Sequence, residues 1–422
     1  MLNTSSQIQN EVNQLYRNHF GKLVASLTYL FNLSNLQVSE DIVQDTFIAA
    51  LENWTKNGIP KEPVNWLYKV CKNKALNVIK SKRFTHLSPL TDVSLFESKN
   101  MDIGYKMDKY FQYEQPEDMQ LQLLFSICHP KIPQTSQIIL ALKTICGFSR
   151  SEIAKGLGMN EESVKKNLYR TKKKIADEKL VFKIPYSTKS IEKIHTVEFI
   201  LYLMFNEGYK ASAGNSIVKY EFCLEAMKLT KSLLKEIDLK LDTTKALFAL
   251  MLFNASRIEE RNRLKNELNN LETQNRNNWD KELIHLGIEY LNNSKPRKNL
   301  TSRFHLEASI ASIHCKSKSF NETNWLGILR FYDSLVQINP SAYTHLNRCI
   351  AMFYAHRAEQ ALKEIERLNL NKELNSYYLF NCTMGKIYKS IEKYEIAASF
   401  YKKALNQTKN NLERAYIRKQ MN

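Results

Sequence analysis

Two stretches in succession, SRSEIAKGLGM (149–159) and NEESVKKNLYRTKKKI (160–175), constrain this chain more than any other feature. In the second, Val164, Leu168 and Ile175 form an apolar stripe at helical spacing, and Asn160 is placed to cap the helix start. Lys165, Lys166, Arg170, Lys172, Lys173 and Lys174 spread positive charge over the remaining faces, with no acidic residue between Ser163 and Ile175. The first stretch reads as a shorter helix capped by Ser149, turning Ile153, Ala154 and Leu157 inward and ending at Gly158. The pair is a helix-turn-helix signature, with a basic second helix suited to nucleic acid.

The rest of the chain has to be compatible with that unit. Only 11 Gly and 9 Pro in 422 residues, with few alternating β-branched runs, predict an all-α protein of two or three domains. A net charge of +18 favours an anionic partner. Seven cysteines, widely spaced and without a Cys-x-x-Cys pair, predict a reduced, cytoplasmic setting. The first residues, MLNTSSQIQNEVNQ, lack the apolar core of a signal peptide, and the cluster Val197 to Phe205 is interrupted by Glu198 and too short for a bilayer, so no membrane association is expected.

Before the helix-turn-helix, a first helix is predicted over Glu11 to Phe31 and a second from Ser39, read as its N-cap. On the second, Ile42, Val43, Thr46, Phe47, Ala50, Leu51 and Trp54 form a buried side, while Asp41, Gln44, Asp45 and Ile48 form an outward ridge. Taken alone, the ridge also reads as a solvated face with favourable charge near a helix start. Thr55 to Val64 contains Gly58, Pro60 and Pro63 and is predicted to be a loop. From Trp66 to Arg83 the basic residues Lys69, Lys72, Lys74, Lys80, Lys82 and Arg83 occur with no acidic one, which suits phosphate contact and equally a surface helix in a Lys-rich protein. Residues 84–116 lose periodicity and read as a linker between a first domain, 1–83, and a second, 117–183.

Residues 191–422 form a long series of helical pieces. Near the end, Gly385, Tyr388, Tyr394, Ala397, Tyr401 and Ala404 fall at the spacing of a tetratricopeptide unit, predicting a helical solenoid that binds a regulatory protein or folds back on the earlier part. FNEGY (205–209) reads as a helix end with a buried polar contact.

Together these segments resemble an RNA polymerase sigma factor of the extracytoplasmic-function type, in the group with a long tetratricopeptide-containing carboxyl extension. The resemblance implies that SEDIVQDTFIAAL docks on core RNA polymerase, with Asp41, Gln44 and Asp45 on the matching ridge. It implies that PVNWLYKVCKNKALNVIKSKR reads and opens the minus-ten promoter element, with Trp66, Asn73, Lys74, Asn77 and Lys80 at motif positions. Region four corresponds to Gln134 to Ile175, with Ser163, Lys165, Lys166 and Arg170 assigned to the minus-thirty-five element. LYLMFNEGY, NNWDKELIHLGIEYL and LNRCIAMFY look like the family's extension. Glu161 and Glu162 depart from a simple basic reader: they either accept from a cytosine amino group or interact with the helix dipole.

The expected partners are therefore core RNA polymerase and promoter DNA, with no cofactor. An enzyme is not supported, because no Gly-rich phosphate loop, Gly-x-Ser-x-Gly or His-Glu-x-x-His occurs. His305, His314 and Cys315 lack a standard metal-ligand spacing, and no metal site is expected. The alternative of another class is a one-component helix-turn-helix regulator with a tetratricopeptide sensor, which leaves the Asp41 ridge and the 66–83 helix unexplained.

Overall fold

A computed structural model describes residues 2–31, 35–80, 116–180, 191–210, 218–235, 242–263, 269–294, 301–368, 372–375, 377–408 and 410–421. These residues are helical with no strand among them, as composition predicts. The chain divides into two compact units, Met1–Ile237 and Asp238–Asn422. The linker expected over 84–116 lies outside the described residues except for Pro116, which opens a helix.

The first unit contains nine described helices: α1 (Leu2–Phe31), α2 (Leu36–Asn57), α3 (Pro63–Lys80), α4 (Pro116–Ile127), α5 (Gln134–Thr144), α6 (Arg150–Leu157), α7 (Glu161–Asp177), α8 (Ile191–Tyr209) and α9 (Tyr220–Leu234). Long α1 is the spine: Leu23, Val24 and Leu27 are wholly buried, and the helix packs on α2, α3, α4, α5 and α9. At Gly21 the approach to α5's end is so close that a Cβ would stand 1.9 Å from the Ile145 carbonyl oxygen.

Several boundaries differ from expectation: α1 begins at Leu2, nine residues before the expected Glu11. Helix α2 starts at Leu36, because buried Leu36 anchors an extra turn to the core; Ser39 and Glu40 are therefore interior positions, both buried, and Ser39 is not the cap. Leu51, expected inside, is exposed. The following loop is only 58–62: the Thr55 hydroxyl bonds to the Leu51 carbonyl within α2, and Pro63 sits in the first turn of α3, where no amide hydrogen is needed. Gly58, with φ of 81°, makes the turn.

In the second unit, α10 (Asp242–Ala255) is buried along most of its length and packs on α12 (Lys281–Asn292) and α13 (Arg303–Lys316), after the short α11 (Ile258–Asn262). Helices α14 (Trp325–Ile338), α15 (Ala342–Tyr354) and α16 (Ala358–Leu368) pack in succession. After the single turn α17 (Lys372–Asn375) come α18 (Tyr378–Ser390), α19 (Tyr394–Gln407) and α20 (Asn411–Met421). Gly385 on α18 lets the Tyr401 ring of α19 approach to where a Cβ would meet it at 2.9 Å, and Ala397, Tyr401, Ala404 and Tyr388 are buried. Tyr394 differs from the expected gap-filling aromatic: at the first position of α19 it is exposed.

Candidate nucleic-acid and partner interfaces

The helix-turn-helix forms as its capping chemistry dictates. Ser149 accepts from the Glu152 amide while Glu152 accepts from the Ser149 amide at 2.7 Å, a reciprocal capping box at the start of α6. Gly158 closes α6 in the left-handed conformation, with φ of 63°. Asn160 Oδ1 then accepts from the Ser163 amide at 2.8 Å and starts α7. Val164, Leu168, Thr171 and Ile175 are the buried side of α7.

At roughly 100° per residue, the predicted contact residues of α7 do not share one face. Ser163, Lys166 and Arg170 line a groove of about 480 Å³ between α7 and the start of α5, with Pro133, Ser136 and Lys174 on its rim. The groove is braced by Asn167, whose amide donates to the Ser136 hydroxyl at 3.0 Å. Lys166 and Arg170 pair with no carboxylate among the described residues, whereas Lys174 lies 3.7 Å from Glu178. A groove edged by Lys166 and Arg170 fits a phosphodiester better than a base edge. Lys165 stands on another flank, 3.8 Å from Glu162, which gives one of the two anomalous glutamates a local partner. Between the flanks, Tyr169 is 69% exposed.

The ridge of α2 is where its periodicity places it: Asp41, Gln44 and Asp45 are exposed, and Ile48 is 51% exposed. Gln37 donates to Asp41 Oδ1 at 2.7 Å. One residue away, Glu40 is only 1% exposed and is reached by the Lys172 ammonium of α7, which also donates to Gln37 Oε1 at 2.9 Å. Burial pushes the Glu40 carboxyl up, and Lys172 works against that shift.

On α3, Trp66, Asn73, Asn77 and Lys80 share one face, while Lys74 is about a quarter-turn round toward Leu67 and half-buried. The Trp66 ring is half-buried and meets buried Trp54 edge-on, with centroids 5.5 Å apart. Asn73, Asn77 and Lys80 are exposed.

Sequence reasoning missed the charged contacts between distant segments. Lys219, just before α9, bonds to Glu152 of the capping box and to Glu207 of FNEGY at 2.5 Å, all three out of solvent. FNEGY signalled a buried polar contact, but nothing in its spacing named Lys219. Phe222 of α9 packs 5.1 Å from Phe148, with the Arg17 guanidinium 5.9 Å from its ring, and Lys22 pairs with Glu225 at 3.4 Å. Thus α9 touches both the helix-turn-helix portion and α1.

Among the described residues, His305, His314 and Cys315 have ordinary packing partners. His305 is held by Ser302 and by the Ser294 carbonyl at 2.6 Å, and Cys315 donates to the Phe253 carbonyl at 3.8 Å. His314 packs on Trp325, and burial lowers its imidazole to about 3. Among the described residues no group of three or more His, Cys, Asp or Glu could hold a metal, and no helix is long and apolar enough to cross a membrane.

These elements define a helical protein with an exposed acidic ridge, a basic helix and a helix-turn-helix in that order. Residues 15–85 match the family described as Sigma-70 region 2, and residues 128–175 match Sigma-70, region 4. The two domains support a sigma-70-family sigma factor with a role in promoter recognition, followed by a helical extension. Residues 193–295 match a family of unknown function (DUF6596). An uncharacterized protein of Rhizobium meliloti (strain 1021) is 28% identical over 388 residues, covering 92% of this chain and 90% of its own length. No solved structure matches.

Proposed function

We propose that the protein is a cytoplasmic, non-enzymatic sigma factor of the extracytoplasmic-function type, regulated by a tetratricopeptide-like extension. Residues 1–83 attach to core RNA polymerase through Asp41, Gln44 and Asp45 and present Trp66, Asn73, Asn77 and Lys80, with Lys74 beside them, to the minus-ten element. Residues 117–183 place α7 at the minus-thirty-five element, with Lys166 and Arg170 on the phosphate backbone and Ser163 and Lys165 on its flanks. Residues 84–116 run between the two, and 191–422 regulate the whole. Tethering two weak contacts raises the effective concentration of the second once the first is made.

The observation that carries this reading is the order of region 2 and region 4 domains in one chain, with an exposed acidic ridge on the first. The test is reconstitution: the purified chain added to core polymerase should direct specific initiation, and replacing Asp41, Gln44 and Asp45 together by Ala should abolish the association while leaving helical content unchanged. Operator binding without any affinity for polymerase would instead favour a one-component regulator.

A further inference from the structure

In the second unit, Glu272 stands at the tip of a turn built to present it. The Asn270 side chain accepts from the amides of Glu272 and Thr273, and buried Asn269 ties the turn down by donating to the Glu260 carbonyl at 2.6 Å. None of these bonds uses the Glu272 side chain. That carboxylate, itself exposed, crosses to α18 and accepts from the Lys386 ammonium through both oxygens, at 2.8 and 2.7 Å, 114 residues along the chain.

Lys386 also lies 5.2 Å from the centre of the Tyr354 ring, and the Tyr354 hydroxyl, at the end of α15, hydrogen-bonds to the same carboxylate. Tyr401 of α19 and Tyr416 of α20 complete the surroundings. Burial above all, with the Glu272 charge among the further causes, pushes all three phenols up. Each phenol therefore keeps its proton and remains a donor at neutral pH. Four helices converge on one cation flanked by hydroxyls, which is the donor set of a carboxylate site.

The surface around it is cationic. From Tyr378 to Asn422 nine Lys or Arg stand against three Glu, and Lys389, Lys393, Lys402, Lys403, Arg418 and Lys419 are exposed. That excess favours an anionic partner. The group already seated at Lys386 is a planar carboxylate and not a phosphodiester, and the tyrosine rings beside it suit a peptide.

We propose that Lys386, with Tyr354 and Tyr416, is a docking site for an acidic segment of a partner protein, and that Glu272 occupies it as an internal stand-in. An incoming Asp or Glu takes the place of the Glu272 carboxylate. Only that exposed side chain swings aside, and no packed seam opens. One carboxylate is exchanged for another at Lys386, so the surrounding lysines supply the net attraction, and binding weakens as salt rises. The proposal goes beyond the sigma-factor reading and stands without it.

Carbodiimide coupling on the full chain reads the site locally, because it joins a carboxylate to the lysine that it touches. The free chain should yield a Glu272–Lys386 crosslink, mapped by mass spectrometry. A short oligo-glutamate peptide should suppress that crosslink and give a peptide adduct concentrated at Lys386. Glu272→Gln should raise the adduct by about two- to fivefold, the advantage that a half-exposed ion pair confers on the internal carboxylate. Glu395→Gln, which removes an exposed charge of the same sign from α19 and leaves Lys386 occupied, should not raise it. An internal crosslink undiminished at saturating peptide overturns the proposal, as does an adduct spread evenly over the exposed lysines. Equal gains in E272Q and E395Q overturn it too, since long-range charge alone would then explain the binding. An oligodeoxynucleotide that suppresses the internal crosslink better than oligo-glutamate also overturns it and makes this surface a nucleic-acid contact.

Discussion

Lys219 donates to Glu207 across 2.5 Å in a site from which both side chains exclude solvent, and the same ammonium reaches Glu152. Burial alone pushes the Glu152 carboxyl up, but the Lys219 and Ser149 hydrogen bonds outweigh it and leave Glu152 below the usual carboxylate range. One cation thus compensates two carboxylates, one from the helix-turn-helix and one from the extension.

Removing that cation strands both charges. Lys219→Met should destabilise the first unit by about 3–5 kcal/mol, the usual cost of breaking a buried ion pair from one side. The triple variant K219M/E152Q/E207Q should recover a large part of the loss, because no uncompensated charge remains. Urea unfolding followed by circular dichroism measures both, and equal stabilities for the single and triple variants would refute the electrostatic account.

How much of this was legible in the sequence depends on range. Ser149, Gly158 and Asn160 act on neighbours within a few residues, so their caps could be read directly. The α2 ridge was legible because helical periodicity fixes which side chains point outward. The start of α2 was misread because Ser39 is a chemically good cap, and the burial of Leu36 that overrides it is tertiary. The groove beside α7 was invisible for the same reason: Ser136 and Asn167 meet only after folding. Lys172 and Lys219 looked like ordinary members of a Lys-rich chain, since the choice of carboxylate partner is made across 132 and 67 residues.

His19 supplies a pH dependence. Burial, aided by Lys22 and Lys228, lowers its imidazole from 6.5 to about 4, and its ring meets Tyr68 edge-on at 5.8 Å. Between those values the unfolded chain binds a proton that the folded chain does not, so stability rises with pH through the window and is lost on acidification. The slope approaches about 1.4 kcal/mol per pH unit for one such group. His19→Phe keeps a ring beside Tyr68 and should remove this slope, so that the wild-type-minus-variant stability difference rises as pH goes from 4 to 6.5. Parallel stability curves for the two proteins would show that His19 titrates normally.

The groove on α7 predicts a separation between salt dependence and sequence preference. If Lys166 and Arg170 hold phosphates, each Ala substitution should weaken holoenzyme binding to minus-thirty-five DNA about uniformly across sequences. Each should also reduce the log-log salt slope by about 0.9. If about four of the α7 cations meet phosphates, the wild-type slope contribution is near −3.6. Titrations at several salt concentrations read these slopes; a changed base preference with an unchanged slope would move Lys166 or Arg170 from the backbone to the bases.

The most direct consequence for dissecting the extension concerns where to cut. A chain ending after Lys183 removes α8 and α9 and leaves Glu152 without Lys219, Phe148 without Phe222 and Lys22 without Glu225. A chain ending after Ile237 keeps all three contacts, because that boundary coincides with the end of the first compact unit. The 1–237 fragment should therefore unfold cooperatively, whereas 1–183 should lose several kcal/mol, the sum of a broken buried pair and exposed aromatic area. Comparing the two by urea unfolding, and only then assaying transcription, separates a regulatory role of the second unit from simple damage to region 4. Equal stability of the two fragments would show that α8 and α9 are not needed to hold the helix-turn-helix in place.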